Sequence, residues 1–230
     1  RILIKYLQLR GKEGFRIIPD EFISAMRESL NSSLVTRHSS LPSGIAFLCN
    51  PNNPTGALLG RNEVLKIAAA AREMKCVLVV DEAFMDFCPE ETLIRDVKDN
   101  PYLIVLRSMT KFYALTGLRI GYAVFHESRM KTMRHFKEPW TVNNLAQQAA
   151  ITALEDNDYA GKTFVLMKRE KEFLEKGFMM LGLEFHPSSV NYYLLNVGAR
   201  RVVPLLREKG NLVRDCANFK GLDGSYIRVA

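Results

Sequence analysis

Four consecutive apolar residues, Val77–Val80, running straight into Asp81, constrain the fold of this 230-residue chain more than any other feature. A strand with no polar position has no solvent-facing side. It belongs inside a sheet covered on both faces, and such sheets are mostly parallel. Parallel strands need crossover connections, and the flanking sequence supplies them. Ile45–Cys49 reads as a strand closed by Asn50-Pro51. Asn62–Met74 has helical spacing at Val64, Ile67, Ala68 and Ala71, with Asn62 as a candidate N-cap. Leu103–Leu106 and Leu118–Val124 read as further apolar strands. This rhythm predicts an α/β domain on a mostly parallel sheet.

After Val124 the pattern changes. Asn144–Leu154 and Tyr159–Leu181 read as helices, Tyr192–Val197 as a strand, Arg200–Lys209 as a helix, and Asn211–Arg214 and Tyr226–Val229 as strands. That is a smaller α+β unit. The expected boundary lies within the long helix, giving a large domain over 1–165 and a small one over 166–230. The opening residues Arg1–Tyr6 alternate like a strand. The missing initiator Met, and an end at Ala230 inside a strand-like run, predict a chain truncated at both ends.

Composition narrows the functional classes. Hydrophobic residues are 47% and charged residues 25%, an ordinary globular balance, and no apolar run approaches a membrane span. No leader pattern opens the chain, so a cytoplasmic location is expected. Cys49, Cys76, Cys88 and Cys216 show neither a CxxC nor metal spacing, which predicts reduced thiols in a reducing compartment. The formal charge is +7, but the basic residues are spread, and Lys168–Glu172 mixes signs like a solvated helix face. That argues against a nucleic-acid partner and suits a site for phosphates and carboxylates. His126, His135 and His186 lack partner spacing, and Met179-Met180-Leu181 reads as packing.

The chemistry-bearing residues follow strands, where open parallel sheets bind ligands. Asn50-Pro51-Asn52-Asn53-Pro54-Thr55-Gly56 is a rigid turn whose three asparagines offer amide donors to a phenolate-like oxygen. Asp81, at the end of a buried strand, needs a partner, either a helix end or a protonated ring nitrogen. Lys111 stands in Ser108-Met109-Thr110-Lys111-Phe112-Tyr113 as a solvated loop lysine or as a Schiff-base lysine whose pKa an apolar wall or a nearby cation lowers. Arg119, eight residues on, is an ion-pair partner or a bidentate grip on phosphate shared with Ser108.

Asn-Pro-Asn-Asn-Pro-Thr-Gly, Asp-Glu-Ala-Phe, Ser-Met-Thr-Lys and Gly-Leu-Arg-Ile-Gly-Tyr, in this order and spacing, resemble the class I/II (fold type I) aminotransferase family, which is dependent on pyridoxal 5′-phosphate. The resemblance implies roles position by position. Lys111 corresponds to the lysine that carries the cofactor, Asp81 to the partner of its pyridine nitrogen, and Asn53 to the donor on its 3′-oxygen. Ser108 and Arg119 correspond to phosphate ligands, and Arg228 to the arginine that grips the substrate carboxylate. Arg214 is the candidate for a substrate phosphate. Phe84 stands where many members have a tyrosine, so the 3′-oxygen loses one donor.

Two branches are resembled: L-threonine-O-3-phosphate decarboxylases of cobalamin biosynthesis, favoured by Val79–Phe87, Leu106–Arg119 and above all Arg214–Asp223, and histidinol-phosphate aminotransferases. A third reading is a regulatory domain that keeps the fold without the chemistry. The resemblance also implies a homodimer, a phosphorylated amino-acid substrate, and an N-terminal portion upstream of residue 1 that completes the site. This chain alone would then be inactive.

Overall fold

The computed structural model describes residues 4–31, 42–198 and 202–230, which divide into two compact units. The first comprises the described residues within 1–7, 17–50 and 59–153, and the second those within 8–16, 51–58 and 154–230.

In the first unit, α1 (Pro19–Asn31) and α2 (Arg61–Glu73) accompany a four-stranded sheet of order β1 (Gly44–Cys49), β2 (Cys76–Asp81), β3 (Leu103–Ser108) and β4 (Gly121–Phe125). β1, β2 and β3 are parallel, and β4 is antiparallel to β3. Val64, Ile67, Ala68 and Ala71 make the i, i+3, i+4, i+7 stripe of α2, and all are buried. They pack with Ile23 and Met26 of α1 onto Leu48, Leu78, Val80, Leu103 and Val105. Burying each such aliphatic side chain contributes roughly 1.5–3 kcal/mol. The opposite face of β1 is bare among the described residues: Ile45 and Phe47 are 63% and 70% exposed. Short helices α3 (Met130–Phe136) and α4 (Asn144–Glu155) close this unit.

The second unit has α5 (Asn157–Met180) and an antiparallel sheet of order β5 (Glu184–Phe185), β6 (Tyr193–Asn196), β8 (Tyr226–Val229) and β7 (Arg214–Asp215), with α6 (Val202–Glu208) between β6 and β7. Phe178 of α5 packs on Tyr193, Leu195 and Ile227. The boundary expected at 165/166 falls inside α5, which belongs wholly to this unit.

Several local expectations are corrected. Residues 4–10 have no regular structure where a strand was expected, and 1–3 lie outside the described residues. α2 begins after Gly60, not Asn62, because the Glu63 carboxylate accepts the Gly60 N–H at 3.1 Å and closes the first turn from inside the helix. The strand expected over Leu118–Val124 starts only at Gly121, after a 3-10 turn over Thr116–Leu118. Residues 211–213 are irregular, and the strand there is Arg214–Asp215. Met179, Met180 and Leu181 are exposed rather than packed, since Phe178 alone of that end of α5 turns inward. None of the four cysteines is in a disulfide, and no helix among the described residues is long and apolar enough to cross a membrane.

Candidate active site

β3 runs two residues past the end of β2. Asp81 pairs with Leu106, and Glu82 N donates to Leu106 O at 2.9 Å. Side chains alternate across a pleated sheet, so Asp81 and Ser108 share one face, while Glu82 and Arg107 share the face that carries the α1–α2 core. Asp81 Oδ1 accepts the Ala83 N–H at 3.0 Å, a local turn that fixes the carboxylate. Among the described residues its second oxygen takes no hydrogen bond.

Beyond Ser108 the chain curls back. Lys111 Nζ donates to Ser108 Oγ at 2.9 Å, and Ser108 Oγ shares a 2.8 Å hydrogen bond with Thr110 Oγ1. The ammonium lies 5.6 Å from the centroid of the Phe84 ring. Burial pushes the Lys111 pKa below the ordinary lysine value, Asp81 opposes that shift, and the Arg119 cation adds to it. A lysine that sheds its proton more readily is a better nucleophile. Arg119 is exposed, donates to Thr116 O at 3.0 Å, and has φ 55°; Ala114 has φ 53°. Left-handed backbone costs a non-glycine residue roughly 1–2 kcal/mol, and such strain clusters at ligand sites.

Sequence reasoning missed a buried charge network beneath this loop. Arg107 Nη1 donates to Glu82 Oε2 and to Thr92 Oγ1, each at 3.1 Å, and Nη2 donates to Asp86. Glu82, fully buried, also accepts from Thr92 Oγ1 at 2.6 Å and from Leu93 N at 2.8 Å. Burial pushes the Glu82 and Asp86 pKa values up, against the pull of hydrogen bonds and Arg107. The available signal was Arg107 itself, a charge in phase with the core residues Leu103 and Val105.

The Asn-Pro turn divides between the units. In the first, Asn50 is locked to Leu59, its Nδ2 donating to Leu59 O at 2.9 Å and its Oδ1 accepting from Leu59 N at 2.8 Å. In the second, Asn52 Nδ2 donates to Thr55 Oγ1 at 2.8 Å, the Asn53–Pro54 peptide is cis, and Gly56 N donates to Asn52 O at 2.7 Å. Two of the three asparagines thus brace the loop. Asn53 is the exception: its Oδ1 accepts from Arg228 Nη1 at 2.6 Å. A guanidinium only donates, so the amide oxygen must face it and the Asn53 NH₂ is left to donate elsewhere.

Arg228 stacks on Tyr192, 4.9 Å from the ring centroid, and Tyr192 Oη donates to Asn52 O at 2.9 Å. Arg214 stands directly opposite Arg228 across the β7–β8 pair, bonded to Asn218 Oδ1 at 3.1 Å and lying over Phe219. Side chains at opposed positions share a face, so two cations are held side by side.

The residues fit pyridoxal 5′-phosphate. The first unit holds a lysine of lowered pKa bonded to the Ser108 hydroxyl, a carboxylate with an open oxygen, and an exposed arginine, Arg119, within electrostatic reach of that lysine. The second sets an amide donor by a hydrogen bond from Arg228. Phe84 presents an apolar ring with no hydroxyl to the lysine.

Comparison with known proteins agrees. The profile of class I and II aminotransferases matches residues 3–230. The threonine-phosphate decarboxylase of Salmonella typhimurium is 42% identical over 190 residues, 80% of this chain and 52% of that protein. Histidinol-phosphate aminotransferase 2 of Archaeoglobus fulgidus is 38% identical over 218 residues, 94% of this chain and 57% of that protein. The crystal structure of the histidinol-phosphate aminotransferase from Clostridium acetobutylicum superposes with a TM-score of 0.83 at 26% identity, over 95% of this chain and 64% of that one. The chain spans little more than half the length of the curated relatives it matches. With its parallel-core sheet, its lysine turn and a profile matched along nearly its whole length, the chain belongs to the class I and II aminotransferase family, the pyridoxal-phosphate-dependent proteins of fold type I.

Proposed function

We propose that the intact protein decarboxylates L-threonine O-3-phosphate to 1-aminopropan-2-ol O-phosphate, using pyridoxal 5′-phosphate. The observation that carries the reading is the direct opposition of Arg214 and Arg228 across β7 and β8. Opposed like charges are unfavourable unless anions neutralise them. Threonine phosphate brings a phosphate and a carboxylate on one small molecule, whereas histidinol phosphate brings a phosphate alone, and an aminotransferase would bring a carboxylate to the pair only with its amino-acid or 2-oxo-acid partner. Phe84, and the resemblance of Arg214–Asp223 to the decarboxylase branch, support the same choice.

Pyridoxal phosphate supplies an electron sink for the bond released at Cα. In this reading Lys111 would hold the cofactor, and its Nζ would deliver to Cα the proton that replaces the departing carbon dioxide. Asp81 would keep the ring nitrogen protonated, Asn53 would donate to the ring oxygen, and Ser108 and Arg119 would hold the cofactor phosphate. Arg228 grips the substrate carboxylate and Arg214 its phosphate, fixing the small molecule by both ends. We extend the proposal to assembly as a homodimer that acts without nucleic acid or membrane.

Incubating the intact protein with threonine phosphate should release carbon dioxide and aminopropanol phosphate. Amino transfer to a 2-oxo acid without carbon dioxide would favour the aminotransferase reading, which the relatives support equally. Absence of both activities would favour a regulatory domain.

A further inference from the structure

We propose that the buried Arg107 is a positioning residue: with Glu82, Asp86 and Tyr113 it forms one strut that clamps both turns of the cofactor half-site from the far face of the sheet. The proposal rests on the reading that Asp81 and Lys111 serve the cofactor.

The argument is topological. Glu82 and Asp86 bracket the turn Ala83–Met85, which follows Asp81 and contains Phe84. Arg107 and Tyr113 bracket Ser108–Phe112, which contains Lys111. One guanidinium joins the brackets: Arg107 reaches Glu82 at 3.1 Å through Nη1 and Asp86 through Nη2. The Tyr113 phenol closes the second bracket: it stands near enough to the same Asp86 carboxylate that each shifts the other's pKa. The strut is dry, with the Arg107 and Glu82 side chains 6% and 0% exposed. Other groups facing it are the Thr92 hydroxyl, at 2.6 Å from Glu82 Oε2, and the Tyr122 phenol.

Two carboxylates and one guanidinium in the interior make a costly way to hold a fold. Replacing such a cluster by apolar residues is often neutral or stabilising. Stability therefore does not explain it. What the cluster does supply is direction. A planar guanidinium with two nitrogens on two different acids fixes distance and angle together, which a point charge such as lysine cannot do. The acids belong to the turn after β2 and the guanidinium to the end of β3. Any slip of one turn against the other breaks a buried charge-assisted bond. Asp81 and Ser108, the chain neighbours of Glu82 and Arg107, are thereby held in register on the opposite face.

The test uses the intact protein loaded with pyridoxal phosphate and three variants. Arg107→Lys keeps the charge but loses the fork. Tyr113→Phe removes only the phenol. Val105→Ala opens a cavity two residues from Arg107 on the same face, destabilising the sheet without touching the strut. We measure cofactor dissociation, the pH midpoint of the visible absorbance of the lysine-bound cofactor, and thermal unfolding. By the scale of supporting-shell losses, Arg107→Lys should weaken cofactor binding about tenfold or more and move the pH midpoint. Tyr113→Phe should move both in the same sense by less, and Val105→Ala should lower the unfolding temperature with the midpoint in place. The proposal is overturned if Arg107→Lys and Tyr113→Phe keep the native affinity and midpoint, or if Val105→Ala shifts the midpoint as they do. Should Arg107→Lys fail to fold, Tyr113→Phe decides alone. Failure of the underlying reading shows differently: Lys111→Ala would then retain the visible absorbance.

Discussion

Replacing Gly56 by alanine tests the loop that carries Asn53. Gly56 has φ +73°, and an added Cβ would stand 2.7 Å from Ser188 Cβ and 3.3 Å from Ser188 Cα, overlapping the Ser188 hydroxyl as well. The hydroxyl can rotate away, but the rest of Ser188 cannot. Ser189 N donates to Gly56 O at 2.9 Å, and Lys171 Nζ donates to Ser188 O. The left-handed backbone costs an L-residue about 1–2 kcal/mol, and a forced overlap in packed surroundings about 1–3 kcal/mol. The less flexible unfolded chain of the alanine variant offsets about 0.4–1 kcal/mol of that. The net loss is roughly 1.5–4 kcal/mol, which for a chain of this size lowers the unfolding temperature by about 3–15 °C. Circular dichroism melts of Gly56→Ala in the intact protein measure it. A second change, Ser188→Gly, removes the overlap but leaves the backbone strain, so the double variant should recover about half of the loss. A single variant melting within about 1 °C of the native protein would refute the reasoning, because neither term would then exist.

Three further outcomes follow. Asn50→Ala leaves the buried Leu59 N–H and C=O without their partners, and at about 1–3 kcal/mol for each unsatisfied group should cost roughly 2–6 kcal/mol in denaturant unfolding; a loss below about 1 kcal/mol would mean that the turn holds itself. Pyridoxal, which lacks the phosphate and so isolates the lysine, should react with the apoprotein at a pH midpoint below the free-lysine value of 10.5, because the Lys111 pKa is lowered. The sign for stability runs the same way: folded Lys111 sheds its proton before unfolded lysine does, so its stabilising share is present above the unfolded pKa and is lost as pH falls through the folded one. Asp81→Asn removes the carboxylate that opposes the shift, so the midpoint should fall further; a rise would contradict the assigned cause.

The sequence made the sheet legible because burial on both faces leaves a run such as Val77–Val80 no other home, and the α2 stripe falls at the helical period. It misled at Leu118–Val124. Apolarity alone cannot show that Arg119 takes a left-handed turn, or that Gly121 is needed where an added Cβ would meet Arg107 O at 2.6 Å. α1 was missed because only Ile23 and Met26 of its thirteen residues are buried, too thin a stripe to stand out. In the site, Lys111 and Asp81 were visible as motif residues at strand ends. The division of labour among Asn50, Asn52 and Asn53 was not, since it depends on which amide meets Leu59, Thr55 or Arg228, and those partners are up to 175 positions away.

The same limit explains why the motif Asp81-Glu82-Ala83-Phe84-Met85-Asp86 looks denser in chemistry than it is. A strand end deals its residues alternately to two faces. Asp81 goes to the face with Ser108, and Glu82 to the face with Arg107. Read along the chain, the acids look like one cluster; in space they are two populations with different tasks. The pairing at β3 repeats the pattern, since Arg107 and Ser108 are neighbours in sequence and face opposite ways. On the roles proposed above, a change at Glu82 or Arg107 would lower activity in a simple assay as a change at Asp81 would. Only a readout that separates the state of Lys111 from the integrity of the sheet can tell the residue that meets the cofactor from the residue that aims it.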